Sequence, residues 1–347
     1  MKILFTGDWH IGLTTHSKSG NRKSREEELR DAIRFIKDYS IKEKIDVFIN
    51  LGDMFHTNKP SIDDVSFAVD IVSEIEKSMN FFMIEGNHDI ITSNEKDGPV
   101  ELLKRISNGK IITDKIESFQ IEDLNFIFVP FPEKLQDSKK FFLEGVRNIV
   151  IAHTSLEGAT IGYESMLLAK ICETEKPIDG CVLISGHIHK YQVIRKDLDN
   201  YCAYAGSVIV NDFGEIGQKK GFIVYDSDLR KFEFVETPCR KFYDLKFDEF
   251  LKLYEEKSIN FDDSIVRIYI DLSNESRSNE IKEICEKIGV FDLKIVIEEK
   301  TSSIVRDSSM KRDLSPKSLF DKFISYSKDF DENDVKNGYE ILDGIRK

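Results

Sequence analysis

The stretch Cys181-Val182-Leu183-Ile184-Ser185-Gly186-His187-Ile188-His189 decides the fold. It opens as an apolar run, the composition of a buried strand, and closes on two imidazoles two residues apart. Side chains alternate along a strand, so residues i and i+2 leave the backbone on one side and can aim both rings at one point. That spacing alone is a weak signal for a metal. Its distribution through the chain adds to it. Of seven His, six (His10, His56, His88, His153, His187 and His189) sit in short motifs that each follow an apolar, β-rich run. Only His16 lies in a polar loop. Clustering at strand ends predicts one convergent site.

Upstream, the same grammar repeats. Lys2–Thr6 reads as a short strand ending at Gly7-Asp8-Trp9-His10, and Val47–Leu51 as another ending at Gly52-Asp53-Met54-Phe55-His56. A third, Phe81–Ile84, delivers Gly86-Asn87-His88-Asp89. Between them the spacing of Leu29, Ala32, Ile33 and Ile36 predicts a helix over 25–43. That of Val65, Ala68, Val69, Val72 and Ile75 predicts one over 61–77. Strands alternating with helices imply parallel βαβ units, whose ligands sit beyond the carboxyl ends of the strands. Pro99–Ile106 looks helical, Phe126–Val129 is a strand, and Asn148–Ala152 delivers His153. The later strands, including 201–204 and 222–225, lie close together with Gly/Asp turns between them, which favours antiparallel pairing. The expected fold class is therefore α/β, an α+β sandwich of two packed sheets flanked by helices.

At 347 residues and 40% hydrophobic content the chain can bury a sizeable core and hold two or three structural units. No apolar run is long enough to span a membrane, and Met1-Lys2 leads straight into a strand, so the expected compartment is the cytoplasm. Five scattered Cys without C-x-x-C spacing read as free or buried thiols. A net charge of −13 disfavours a general nucleic-acid binder, so a polyanion would have to be held by bound cations or by the local cluster Lys18, Arg22, Lys23 and Arg25. That cluster reads equally well as a solvated loop.

Asp8, His10, Asp53, Asn87, His153, His187 and His189 together offer carboxylate, amide and imidazole donors, too many for one ion and a fair number for two. One carboxylate must then bridge. Mixed oxygen and nitrogen ligation without thiolate suits Mn²⁺, Fe or Zn²⁺. Paired ions of this kind hydrolyse phosphoesters.

The five ordered motifs resemble those of calcineurin-like metallophosphoesterases. Within that superfamily the chain resembles the SbcD nuclease family of DNA repair and recombination. The features that carry this are Asp8-Trp9-His10-Ile11-Gly12, Gly52–His56, Gly186-His187-Ile188-His189-Lys190, and Tyr204-Ala205-Gly206-Ser207 with Lys220-Gly221. The likeness covers residues 1 to about 237. It implies one ion on Asp8, His10, Asp53 and His189, and the other on Asp53, Asn87, His153 and His187, with Asp53 the bridge. It further implies His88 as proton donor or charge stabiliser with Asp89 orienting it, and His56 as a second His facing the phosphate. The implied cofactor is two Mn²⁺ per chain, with Mg²⁺, Fe or Zn²⁺ as alternatives.

The same resemblance implies a domain order. A nuclease domain (1–237) would be followed by a βαβ-like DNA-capping domain (241–300), a linker (301–314) and a helical segment (315–347) that binds an SbcC-like coiled-coil ATPase. The linker is charged and Ser-rich, and the last segment carries the stripe Leu319, Phe320, Phe323 and Ile324. The helix over 61–77 would serve a homodimer, although its apolar face fits a core equally well. The implied activity is Mn²⁺-dependent cleavage of DNA, exonucleolytic on duplexes and endonucleolytic on single strands. The competing readings are a phosphoesterase of small molecules or phosphoproteins, and a DNA-end scaffold without catalysis.

Overall fold

The structure is a computed structural model that describes residues 1–16, 24–90, 98–162, 166–170, 172–197 and 199–298. The linker and the ATPase-binding segment expected at 301–347 lie outside the described residues, as do Lys18, Arg22 and Lys23.

The first half alternates strand and helix as the periodicity predicts: β1 (Lys2–Thr6), α1 (Arg25–Lys42), β2 (Val47–Asn50), α2 (Ile62–Glu76), β3 (Asn80–Ile84), α3 (Pro99–Ile106) and β4 (Lys110–Ile112). Helix α1 starts in a capping box. The Ser24 hydroxyl accepts the Glu27 N–H while the Glu27 carboxylate accepts that of Ser24, which satisfies two amides the helix itself leaves free. Strands β1 to β4 are mutually parallel. Two later strands, β13 (Gly221–Asp226) and β14 (Lys231–Glu236), complete a six-stranded sheet in the order β14-β13-β1-β2-β3-β4, with β13 antiparallel to β1 and β14 antiparallel to β13.

The second sheet runs β11-β12-β10-β7-β6-β5. Its strands are β5 (Glu117–Ile121), β6 (Leu124–Val129), β7 (Arg147–His153), β10 (Val182–Gly186), β11 (Gln192–Lys196) and β12 (Tyr201–Tyr204). A short hairpin of β8 (Thr160–Ile161) and β9 (Met166–Leu167) stands apart. Only the edges β5 and β11 pair antiparallel; β6, β7, β10 and β12 are parallel, so the antiparallel pairing expected of the later strands holds for β13 in the first sheet and not for β10 with β12. The reason is length: 130–146 and 154–181 are long enough to cross back over the sheet, which a tight turn is not.

Alternation along the strands sorts the core. Ile3, Phe5, Val47, Ile49, Phe126, Phe128, Ile149, Ile151, Val182 and Ile184 fill the space between the sheets. Leu4, Phe48, Phe81 and Met83 face the other way, onto Leu29, Ile33 and Ile36 of α1 and Ala68, Ile71 and Val72 of α2. The apolar face of α2 is thus core, with Ile62 left exposed at its start. Trp9 is buried just past β1, its Nε1 donating to Thr6 Oγ1 at 2.9 Å and its ring set edgewise against Phe48.

Beyond β14 comes a βαβαβ unit, β15 (Phe242–Lys246), α4 (Phe247–Glu255), β16 (Ile265–Asp271), α5 (Ser278–Ile288) and β17 (Asp292–Glu298), whose three strands are parallel. The strand and helix at 242–255 add to the βαβ pattern legible downstream. Its core is its own, built on Leu245, Phe250, Val266, Ile268, Ile281 and Cys285. A buried ion network fastens it to α1. Glu28 Oε2 accepts from Arg25 Nη1 and Arg240 Nη1, each at 2.7 Å, and Glu28 Oε1 accepts the Arg240 N–H at 2.7 Å. Arg25 therefore belongs to this network, and not to a basic surface cluster.

Candidate metal centre

The carboxyl ends of β1, β2, β3, β7 and β10 meet at one end of the sandwich, where parallel strands leave their following loops free to converge. Apart from His153, which ends β7, the functional residues do not lie on the strands themselves. Strand β1 ends at Thr6 and β10 at Gly186, while Asp8, His10, Asp53 and His187 take φ of 48°, 49°, 51° and 87°. Left-handed backbone, uncommon for residues with a β-carbon, replaces the extended alternation that the i, i+2 spacings predict. His187 and His189 consequently serve two different groupings and not one point. Hydrogen bonds between loops hold these turns: Asp8 N–H to Gly52 O and His10 N–H to Asp53 O, both 3.0 Å, and His187 N–H to Asp8 Oδ1 at 2.9 Å. Gly52, at φ 96°, is required, because a β-carbon there would lie 2.7 Å from His153 Nδ1.

The side chains fall into two sets that meet at Asp53. In the first, His10 Nε2 and His189 Nε2 face each other at 2.9 Å, beside Asp8. In the second, Asn87 Oδ1 lies 2.9 Å from His153 Nε2 and 2.8 Å from His187 Nδ1. Asp53 Oδ2 stands between, 3.7 Å from His10 Nε2 and 3.5 Å from His153 Nε2. All seven expected donors are therefore together. His153 is turned by the Leu51 carbonyl, 2.8 Å from its Nδ1.

Burial makes this cluster electrostatically tense. Burial pushes the Asp8 carboxyl up. It works against charge on Asp53 as well, but the adjacent His153 and His10 hold that carboxyl well below the usual range. Burial disfavours charge on His153 too, yet Asp53 and Asp8 outweigh it and raise the imidazole to about 9. Burial and the neighbouring His153 lower His187 to about 4. The carboxylates thus favour positive charge at the centre.

The residues fit divalent cations. Asp8 Oδ2 is buried without a hydrogen-bond partner, a costly condition for a carboxylate oxygen unless something coordinates it. The neighbouring donors are carboxylate, amide and imidazole, and no thiol takes part.

Next to the two sets, His88 and His56 stack with ring centroids 5.8 Å apart, and both pack edgewise on His10. Asp89 does not orient His88 as expected. Its buried carboxylate accepts N–H groups from Gly86 (3.0 Å), Phe55 (3.2 Å) and Met54 (3.3 Å), fastening the loop after β3 to the loop after β2. The His88 ring is turned instead by the His56 carbonyl, 2.9 Å from Nδ1, and the His88 N–H donates to Asp53 Oδ1 at 2.9 Å.

Sequence reasoning misses Glu215. It sits in the polar stretch Asn211-Asp212-Phe213-Gly214-Glu215, whose spacing carries no metal signature, yet its Oε1 lies 2.8 Å from His189 Nδ1. A cavity of about 200 Å³, lined in part by Ile161, Ile188, His187, His189 and Glu215, opens onto this edge of the centre. A larger one of about 860 Å³ lies at the opposite ends of the strands, by Arg147, Val182 and Tyr201, away from these donors.

A family model described as calcineurin-like phosphoesterase matches residues 1–191. The DNA double-strand break repair protein Mre11 of Methanococcus maripaludis is 24% identical over 370 residues, spanning 99% of this chain and 95% of its own length. The SbcD component of the nuclease SbcCD of Staphylococcus epidermidis is 26% identical over 274 residues, 65% of this chain and 66% of that protein. Exonuclease subunit 1 of Enterobacteria phage T4 is 25% identical over 251 residues, 68% of this chain and 67% of that protein.

Proposed function

Since the chain belongs to the calcineurin-like phosphoesterases, we propose that it is a Mn²⁺-dependent DNA nuclease subunit that hydrolyses phosphodiesters in repair and recombination. The observation that carries the reading is the pair of donor sets meeting at Asp53 Oδ2. Asp8, His10, Asp53 and His189 would hold one ion, and Asp53, Asn87, His153 and His187 the other. Two such cations, when bound, supply a water acidified to near neutrality and a clamp on the phosphate oxygens.

The remaining steps belong to the chain's own residues. His88 donates Nδ1–H to the His56 carbonyl, which leaves Nε2 to meet the phosphate or the leaving oxygen. His56 stands beside it as a second imidazole for the phosphate. Asp89 locks the two loops that present Asp53 and His88, so its part is positioning.

DNA as substrate is supported by the names of the relatives, all DNA-repair or nuclease proteins. The nuclease domain would be 1–237, with the three-stranded unit within 241–300 capping the DNA. Residues 315–347 would bind an SbcC-like coiled-coil ATPase in the cytoplasm, and α2 would join two copies through its exposed start.

Digestion of linear duplex and nicking of single strands with Mn²⁺, with and without a chelator, tests the reading. Chelator-sensitive cleavage is the expected result. Hydrolysis of small phosphomonoesters with intact DNA would overturn it in favour of a small-molecule phosphoesterase. Deleting 308–347 should leave cleavage near wild type while abolishing co-purification with the ATPase.

A further inference from the structure

Behind His189, on the ring edge turned away from His10, lies a buried ion pair that neither donor set contains. Glu215 Oε1 is 2.8 Å from His189 Nδ1. Its Oε2 accepts the Asn211 N–H at 2.7 Å and pairs with Lys220 Nζ at 2.9 Å. Lys220 is 3% exposed, and the same ammonium donates to the His189 carbonyl and to Ser207 Oγ, both at 2.9 Å. His189 is therefore gripped twice, through its ring by Glu215 and through its main chain by Lys220.

We propose that Glu215 is a positioning residue for one ion of the pair, the one assigned to Asp8, His10, Asp53 and His189. A carboxylate only accepts, so Nδ1 carries the ring proton and Nε2 presents its lone pair toward His10 and Asp8. The Asn211 amide, 3.1 Å from the same Nδ1, then turns its oxygen there. Carboxylate behind imidazole also raises the basicity of the ligating nitrogen. In the other set His153 Nδ1 faces only the neutral Leu51 carbonyl, and within the same set as His189 the Nδ1 of His10 has no hydrogen-bond partner. Glu215 thus makes the two ion positions unequal, and Lys220 balances its charge so that the buried carboxylate is tolerated.

This inference rests on the two-ion reading, and the test separates the two. Glu215→Gln combined with Lys220→Met removes both charges and leaves no buried cation unpaired. Calorimetric titration of the full chain with Mn²⁺ should give two ions in the wild type. In the double variant one ion should weaken by about 10–100-fold, with the other unchanged. Nitrogen NMR of the metal-free imidazoles should show His189 protonated at Nδ1 in the wild type, with that signal moved in the variant. A wild type that binds fewer than two ions overturns the two-ion reading and this inference with it. Two ions of wild-type affinity in the variant overturn the inference alone, as does equal weakening of both. Glu215→Gln by itself, read by the same two measurements, serves if the double variant does not fold.

Discussion

Asp53 gives the sharpest prediction at the scale of single residues. Because its Oδ2 stands between both donor sets, Asp53→Ala should abolish binding of both ions. Calorimetry that finds one site of full affinity in this variant would rule out the bridge. His88→Ala should behave oppositely, keeping both ions while turnover on DNA falls by roughly 10²–10⁴-fold, the usual contribution of a positioned proton donor. Turnover near wild type would remove His88 from the chemistry. The donors themselves were legible because each follows an apolar run, all but His153 in a short Gly-containing motif. What was not legible was direction. Asp89 adjoins His88 in sequence, which suggests that the two side chains touch, but the turn aims the carboxylate inward onto three backbone amides. Glu215 lies 26 residues from the ring it holds, and no local pattern connects them.

Among elements, the helices were the easiest to read, since period 3.6 and a cap signal act within a few residues. Ser24 illustrates how much a local signal decides. Ser24→Ala removes the acceptor for the Glu27 N–H and should destabilise the protein by about 1 kcal/mol. A shift in the urea midpoint without a change in slope is the readout, and an unmoved midpoint would mean that the capping box contributes nothing. Strand direction in the second sheet was hidden for the converse reason. Parallel pairing of β7 with β10 and of β10 with β12 depends on crossovers made of irregular backbone and an edge strand, not on helices, so no periodicity announces them. The same holds for β15, which begins at Phe242, the last residue of the Pro238 to Phe242 stretch that reads as a break.

At the scale of the whole molecule, the junction between the sandwich and the βαβαβ unit combines an apolar cluster of Val210, Phe213, Phe242, Ile265 and Phe291 with Glu28, which two buried guanidinium groups share. Glu28→Ala leaves those groups without their common counter-charge and should cost about 3–5 kcal/mol. Calorimetric melting should show a lowered transition, and hydrogen exchange should quicken in β15–β17 before it does in β2. A melting temperature equal to that of the wild type would contradict the assignment of Glu28 as a fastener. One further consequence comes from Trp9, the chain's single tryptophan, buried between the two residues that begin the first donor set. No other indole can contribute to emission excited at the red edge of protein absorption. The fluorescence of the unlabelled chain therefore reports from a spot one residue away from both Asp8 and His10. A paramagnetic ion such as Mn²⁺ arriving there should dim it, and a chelator should restore it. An emission that stays flat while calorimetry records binding would place the ions elsewhere. Otherwise occupancy of the centre can be followed optically, in real time, in the native sequence.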